Sequence, residues 1–305
     1  MATNRFISTI LYTIPMPDKF SAVWVSHSSI SDFKRCPRRY YLANVYRDAR
    51  SNHKLSLASP SLSLGSAVHE VLESLSILPT SERFKISLIE RFQTAWSKIS
   101  GERGGFEDKA DEVRYKTRGE DMLRRVIAHP GPLERLAVKI KQDLPHYWLS
   151  EDDNIVLCGR IDWLEYNPGD DSVSILDFKT GKNDEAPDSL QLPIYHLLAH
   201  NCQTREVKKA SYWYLDRDDV PVEQTLPDLD RSRETILKVA KEIKLARALE
   251  RFKCPEGDRG CKYCRPYEKI LKGEAQFVGV DETSRDVYSL HSSSATTELP
   301  ESEIL

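Results

Sequence analysis

The chain has 305 residues, of which 40% are hydrophobic and 30% are charged. This length and composition allow one large domain or two ordinary ones, and they exclude a wholly disordered chain. The formal net charge of −3 excludes a uniformly basic surface, so any nucleic-acid binding has to use local basic patches. No apolar run approaches the ~20 residues of a membrane helix. We therefore expect no membrane contact and a cytoplasmic location.

The first half of the chain is predicted to be mainly helical. Residues 1–25 are expected to form a flexible arm. Serines at 26–31 are N-cap candidates for a helix that continues to Tyr41. Apolar residues at helical spacing predict another helix over 64–75, and a strongly charged helical part follows at about 80–145.

The apolar period then changes to that of β-strands. Residues 155–166 and 172–179 are predicted to be two strands joined by a hairpin turn at 167–171. The elements expected after this hairpin are a helix at 190–200, a strand at 210–215, a helix at 231–253 and a disordered tail at 281–305. This order predicts a mixed α/β class with a sheet at its centre.

Three charged residues interrupt the apolar hairpin. Asp177 and Lys179 are two residues apart, so they point to the same face of their strand. Closure of the hairpin would place Asp162 roughly opposite Asp177. A structural ion pair with Lys179 is one explanation of this set. The other is a divalent metal site, because a bound cation resolves the repulsion of two neighbouring carboxylates, and Mg²⁺ or Mn²⁺ prefers carboxylate oxygens.

Six short motifs follow one another along most of the chain. They are residues 28–33 with 36–41 (Ser-Ser-Ile-Ser-Asp-Phe and Cys-Pro-Arg-Arg-Tyr-Tyr), 64–69 (Leu-Gly-Ser-Ala-Val-His), 159–162 (Gly-Arg-Ile-Asp), 175–181 (Ile-Leu-Asp-Phe-Lys-Thr-Gly), Gln191 with Tyr195, and the final cysteines. In this order they resemble PD-(D/E)XK nucleases of the RecB-like branch, which includes AddB-type and CRISPR-adaptation nucleases.

The resemblance implies a fold and a domain organisation. The fold is a restriction-endonuclease-like core, in which helices flank a central mixed sheet, with a helical insertion. The nuclease domain would cover residues 26–280, with its catalytic core at about 150–220 and a cysteine cluster at 254–264.

It also implies the chemistry of the site. His69, Asp162 and Asp177 would bind Mg²⁺ or Mn²⁺, together with the backbone carbonyl of Phe178. Lys179 would orient the attacking water or stabilise charge on the phosphate.

Two further features of the helical segments belong to this expectation. Gln191 and Tyr195 lie on one helix face and would hold DNA or the site itself, although simple packing of Tyr195 is an alternative. Glu134 is either an additional acidic group or a solvated surface charge, and we do not assign it to the site.

Four of the six cysteines are candidates for a second metal centre. Cys254, Cys261 and Cys264 lie within eleven residues, and Cys36 stands in the first motif. In the resembling nucleases an early cysteine joins three late ones around a four-iron–four-sulfur cluster. Here the order of the late cysteines departs from the usual one, so tetrahedral zinc and an empty site remain alternatives.

The expected function is a metal-dependent DNA nuclease. It would be an exonuclease or end-processing enzyme on single strands or duplex ends, in repair, recombination or defence, with a helicase as a possible partner. Basic residues at 34–39 beside Tyr40, Tyr41 and Trp213 suggest a single-stranded path. The alternatives are a DNA-binding scaffold with a weak site and an RNA-directed nuclease.

Overall fold

The computed structural model describes residues 18–290. The helices in this range are α1 (His27–Arg35), α2 (Pro37–Tyr40), α3 (Pro60–Glu73), α4 (Leu88–Ser97), α5 (Lys109–Ala128), α6 (Gln191–Cys202), α7 (Leu229–Ala248) and α8 (Arg265–Leu271). The strands are β1 (Val23–Val25), β2 (Lys54–Leu57), β3 (His146–Ser150), β4 (Ile155–Cys158), β5 (Trp163–Asn167), β6 (Ser172–Lys179), β7 (Val207–Tyr214), β8 (Val222–Gln224), β9 (Gln276–Val280) and β10 (Arg285–Ser289). None of these helices is both long and apolar enough to cross a membrane.

The strands form three sheets. A four-stranded sheet has the order β5-β6-β7-β8, and its central pair β6–β7 is parallel while the outer pairs are antiparallel. Two three-stranded sheets have the orders β1-β4-β3 and β2-β10-β9. The mixed α/β class is thereby confirmed, and the four-stranded mixed sheet is consistent with the expected restriction-endonuclease-like core.

The predicted hairpin is present as β5 and β6. Trp163 lies opposite Leu176 and Asn167 lies opposite Ser172. Asp171 closes the turn with a φ of 50°, a left-handed conformation that Asp tolerates better than most residues. The predicted strand at 155–166 is, however, divided between two sheets. The chain leaves the first sheet at Gly159, where a side chain would stand 2.9 Å from a methyl carbon of Leu198 on α6.

The four-stranded sheet is covered on both faces, as its alternating side chains require. Trp163, Leu176 and Phe178 belong to the hydrophobic cluster formed with the helical part α3–α5. Ile175 and Tyr212 belong to the other cluster, which includes residues of α6 and α7. Asp177 and Lys179 therefore lie on the α6 side of the sheet.

The predicted first helix is broken at one residue. Cys36 has an extended backbone, with φ −167° and ψ 114°, between α1 and α2. Proline disfavours helical geometry in the residue before it, and Pro37 follows Cys36. This break turns Cys36 out of the helical path and towards the other cysteines.

The inner end of each predicted terminal segment belongs to the folded part of the structure. The last residues of the predicted arm form β1, which pairs in parallel with β4. The start of the predicted tail forms β10, which pairs in parallel with β2. Residues 1–17 and 291–305 of these two predictions lie outside the described residues.

Candidate active site and cysteine centre

Lys179 lies at the centre of the first group of polar side chains. Its Nζ is 2.8 Å from Oδ2 of Asp177 and 2.7 Å from Oε2 of Glu185. The ammonium also lies 4.8 Å from the ring centroid of Tyr212. The side chain is mostly buried, so its charge is held in place by these neighbours rather than by water.

The predicted Gln191 and Tyr195 belong to the same group. Gln191 donates from Nε2 to Oδ1 of Asp177 at 2.9 Å and to the hydroxyl of Tyr195 at 3.2 Å. Its Oε1 accepts a hydrogen bond from Lys179 Nζ. The amide of Gln191 thus fixes the relative positions of the carboxylate and the ammonium.

Asp162 is the centre of a second group. Its Oδ2 accepts a hydrogen bond of 2.9 Å from the backbone N–H of Phe178, and it lies 3.4 Å from Nδ1 of His69. The same Nδ1 is 3.3 Å from Oε1 of Glu73. Each of the three side chains offers one ligand atom, and these atoms lie within 4.8 Å of one another. One imidazole and two carboxylates at this spacing suit a divalent cation.

The protonation of Asp177 reflects the crowding of the two groups. Complete burial, and then the nearby Asp162 carboxylate, raise the pKa of Asp177 to about 8, although Lys179 opposes the shift. Its Oδ2 touches the ammonium without hydrogen-bond geometry and accepts no hydrogen bond from the described residues. A buried carboxylate oxygen that accepts no hydrogen bond is costly, and a metal ion bound beside the ammonium would satisfy it. The site therefore fits a divalent metal.

Two other pKa values are shifted by the same charges. Burial alone would lower the pKa of His69, but the Asp162 carboxylate and Glu73 raise it well above its ordinary value. Burial also opposes the charge of Lys179, but Asp177 and Glu185 raise its pKa. In the absence of a metal, these charges therefore favour the protonated forms of His69 and Lys179.

Close packing of α3 against the end of β6 places His69 near the hairpin. At Gly65 on α3, an added Cβ would stand only 3.2 Å from Oγ1 of Thr180, just after β6. His69 follows one turn later on α3, and its ring makes an edge contact with Phe178 at a centroid distance of 6.0 Å. A small residue at Gly65 thus lets the imidazole reach the Asp162 carboxylate.

Two residues of the site were not predicted from the sequence. Glu73 is four positions after His69 on α3, and this spacing is a signal that could have found it. Glu185 lies in the loop between β6 and α6, where no helical or strand periodicity relates it to the other residues of the site. Glu134 lies in a short turn at Gly131–Glu134, and no contact joins it to either group among the described residues.

The structure places the residues of the predicted single-stranded path at 34–39 in two different environments. Arg38 pairs with Glu268 at 2.6 Å, and Arg39 pairs with Asp32 at 2.5 Å. The rings of Tyr40 and Trp213 are buried in the core. Lys34 and Arg35, in contrast, are exposed. The path therefore stays a prediction for these two cations only.

The four predicted cysteines meet in one place. The sulfur atoms of Cys36, Cys254, Cys261 and Cys264 lie within 4.8 Å of one another. The sulfurs of Cys261 and Cys264 are 3.8 Å apart, and the backbone N–H of Cys261 donates to Sγ of Cys264 at 3.2 Å. Cys158 and Cys202 lie outside this group. The centre thus joins the N-terminal helices to the C-terminal segment.

The comparisons with known proteins identify a family. A family model of the PD-(D/E)XK nuclease superfamily matches residues 24–269, which include both polar groups and the four clustered cysteines. No curated protein matches the chain.

Proposed function

Because this chain belongs to the PD-(D/E)XK nuclease superfamily, we propose that it is a DNA exonuclease or end-processing nuclease that uses Mg²⁺ or Mn²⁺. The family implies a metal-dependent nuclease in general; the preference for DNA ends rests on the resemblance to the RecB-like branch. The observation that carries the proposal is the closeness of two groups, one suited to a divalent cation and one holding a buried ammonium beside Asp177, since the charge of Asp162 in the first group acts on Asp177 in the second.

His69, Glu73 and Asp162 would hold the cation, with Asp177 adjacent to them. A bound divalent cation supplies Lewis-acid stabilisation of phosphate charge and activates water. The side chains of the site supply the remaining positive charge. Lys179, held by Asp177 and Gln191, presents a positive charge that can orient water or neutralise a phosphate oxygen.

A cavity beside the cation-binding group supports a nucleic-acid substrate. It has a volume of about 910 Å³, and Glu73 and Asp162 form part of its wall. The exposed cations Lys139, Lys141 and Arg160 also line it. The chain before Lys139 is held along the edge of β5, because the N–H of Val138 donates to the carbonyl of Leu164 at 2.8 Å. These three cations can attract the phosphate backbone of a nucleic acid towards the cation-binding group.

The proposal is tested with end-labelled single- and double-stranded DNA in Mn²⁺, Mg²⁺ or EDTA. We expect metal-dependent shortening from the ends that is absent in EDTA and in Asp177→Ala. Asp184→Ala, an exposed acid in the following loop, is the matched control and should cleave normally. Internal cuts would contradict the end preference, and cleavage of RNA alone would favour the RNA-directed alternative. Folded protein that binds DNA and metal without cutting would favour the scaffold alternative.

The cations of the cavity give a separate prediction. Replacing Lys139, Lys141 and Arg160 together by alanine should weaken DNA binding about tenfold or more at moderate salt. The slope of log K against log salt should fall by about one for each phosphate that the variant no longer neutralises. Fluorescence anisotropy in EDTA measures both quantities. A triple variant with an unchanged slope would remove this cavity from the substrate path, and Lys238→Ala on α7 is the surface-charge control.

The wider setting also remains a proposal. Action in DNA repair, recombination or defence, a helicase as partner and a cytoplasmic location follow from the resemblance and the composition.

A further inference from the structure

We propose that the cysteine centre binds a single Zn²⁺ ion through Cys36, Cys254, Cys261 and Cys264, instead of an iron–sulfur cluster. This inference concerns the structure of the protein and does not depend on its proposed nuclease activity. It rests on the spacing of the four sulfur atoms and on the backbone that sets this spacing.

The sulfur spacing fits one ion. A tetrahedral zinc site has Zn–S bonds of about 2.3 Å, which places neighbouring sulfurs about 3.8 Å apart. Cys261 and Cys264 are 3.8 Å apart, and all four sulfurs lie within 4.8 Å of one another. The spacing of the four sulfur atoms is therefore close to that of four ligands around one zinc ion.

The same spacing does not fit a four-iron–four-sulfur cluster. In such a cluster each thiolate binds a different iron and points away from the centre, so the cysteine sulfurs stand about 6 Å apart. Every pair in this centre is closer than that. Binding a cluster would require all four sulfurs to separate in a packed region.

Close packing around the centre opposes such a separation. Gly260 has a φ of 70°, and a Cβ there would stand 3.0 Å from the sulfur of Cys264. The glycine turn before the Cys261–Cys264 pair therefore leaves just enough room for this sulfur. Leu42 and Tyr267 belong to the same buried cluster as the cysteines, so the surroundings are closely packed.

Positively charged side chains also lie near the centre. Four thiolates around Zn²⁺ carry a net charge of −2, and two arginines lie beside the centre. Arg39 lies 5.2 Å from the ring centroid of Tyr267 and donates to the carbonyl of Tyr263. Arg38 is held close by its ion pair with Glu268 on α8. Arg38 interacts electrostatically with the thiol of Cys264 and Arg39 with that of Cys36, while each arginine is also paired with a carboxylate.

The ion is identified by metal analysis of anaerobically purified protein from cells supplied with both iron and zinc. We expect about one zinc per chain after an EDTA wash that clears the weaker carboxylate site, with no stoichiometric iron or acid-labile sulfide. Cys254→Ser should lower the zinc content at least tenfold. Cys202→Ser, a half-buried cysteine outside the centre, should leave it unchanged.

Cobalt substitution in the wild-type chain keeps the test valid if Cys254→Ser fails to fold. Co²⁺ should give the visible bands of a tetrahedral ion and the near-ultraviolet charge-transfer band of thiolate ligands, and one equivalent of Zn²⁺ should abolish both. Stoichiometric sulfide with about four irons per chain would overturn the proposal in favour of a cluster. A chain with neither metal, or a cobalt spectrum without thiolate character, would overturn it in favour of an empty centre.

Discussion

Replacing Lys179 by alanine is expected to reduce DNA cleavage by at least about 100-fold, the size of effect typical of a positioned charge in a transition state. At a pH above the Asp177 pKa of about 8 it should also lower the free energy of unfolding by about 3 kcal/mol, because the variant then leaves an ionised Asp177 buried without its cationic partner. Asp177 is 1% exposed, so water cannot replace that partner. Cleavage assays and denaturant unfolding measure the two effects.

A double variant separates these two losses. Adding Asp177→Asn to Lys179→Ala removes the uncompensated carboxylate, so most of the stability should return while cleavage stays abolished. Lys182→Ala, an exposed lysine three residues further on, should change neither quantity. If the double variant stayed as unstable as Lys179→Ala, the uncompensated Asp177 carboxylate would not be the cause of the lost stability.

Binding of Mn²⁺ should strengthen steeply with pH. The pKa of His69 is held well above its ordinary value, and the pKa of Asp177 is raised to about 8, so both groups hold protons that a cation must displace. Loss of one proton on binding strengthens the apparent affinity about tenfold per pH unit below the pKa. Titration calorimetry without DNA should therefore show a gain of roughly 100-fold between about pH 6 and 8 for each proton that the cation displaces.

The metal-free protein should respond to pH in the opposite direction. Both folded-state pKa values are raised, so the folded chain binds more protons than the unfolded chain. The stability contributed by His69 is complete below its ordinary pKa of 6.5 and is lost as the pH rises through its higher folded value. For Asp177 the loss extends from 3.8 to about 8. Saturating Mn²⁺ should offset this decline, since a ligand of the folded state stabilises it.

Asp162→Asn tests the origin of this dependence. The substitution removes one ligand and also the charge that raises the pKa of His69, so Mn²⁺ binding should weaken at least tenfold at every pH and its pH dependence should flatten. Asp184→Asn is the surface control. Unchanged Mn²⁺ affinity in Asp162→Asn would contradict the assignment of the cation site to His69, Glu73 and Asp162.

Local features of the sequence predicted the hairpin and its charged residues well. Strand periodicity, together with turn-forming residues at 167–171, determines the pairing of β5 with β6, because both signals depend on neighbouring residues. That pairing is enough to bring Asp162 near Asp177. The i, i+4 spacing of Gln191 and Tyr195 likewise predicted a shared helix face, and their hydroxyl–amide contact follows from it.

Boundaries and groupings were predicted less well. The sequence indicated one strand over 155–166, but packing against α6 divides it at Gly159. The predicted arm and tail were expected to be free, yet their inner ends pair with β4 and β2. Strand pairing between distant segments depends on closing long loops, and no short window of sequence contains that information.

The sequence by itself therefore determined the candidate site residues: two aspartates and a lysine in an apolar hairpin, a histidine one turn after a glycine, and four cysteines near the two ends of the domain. The tertiary structure decided how they are grouped. It placed Glu73 with His69 and Asp162, gave Lys179 a second partner in Glu185, and set the cysteine sulfurs within 4.8 Å of one another. The reason is physical, since periodicity is a property of the local backbone, whereas distances between side chains of separate elements arise only when those elements pack together.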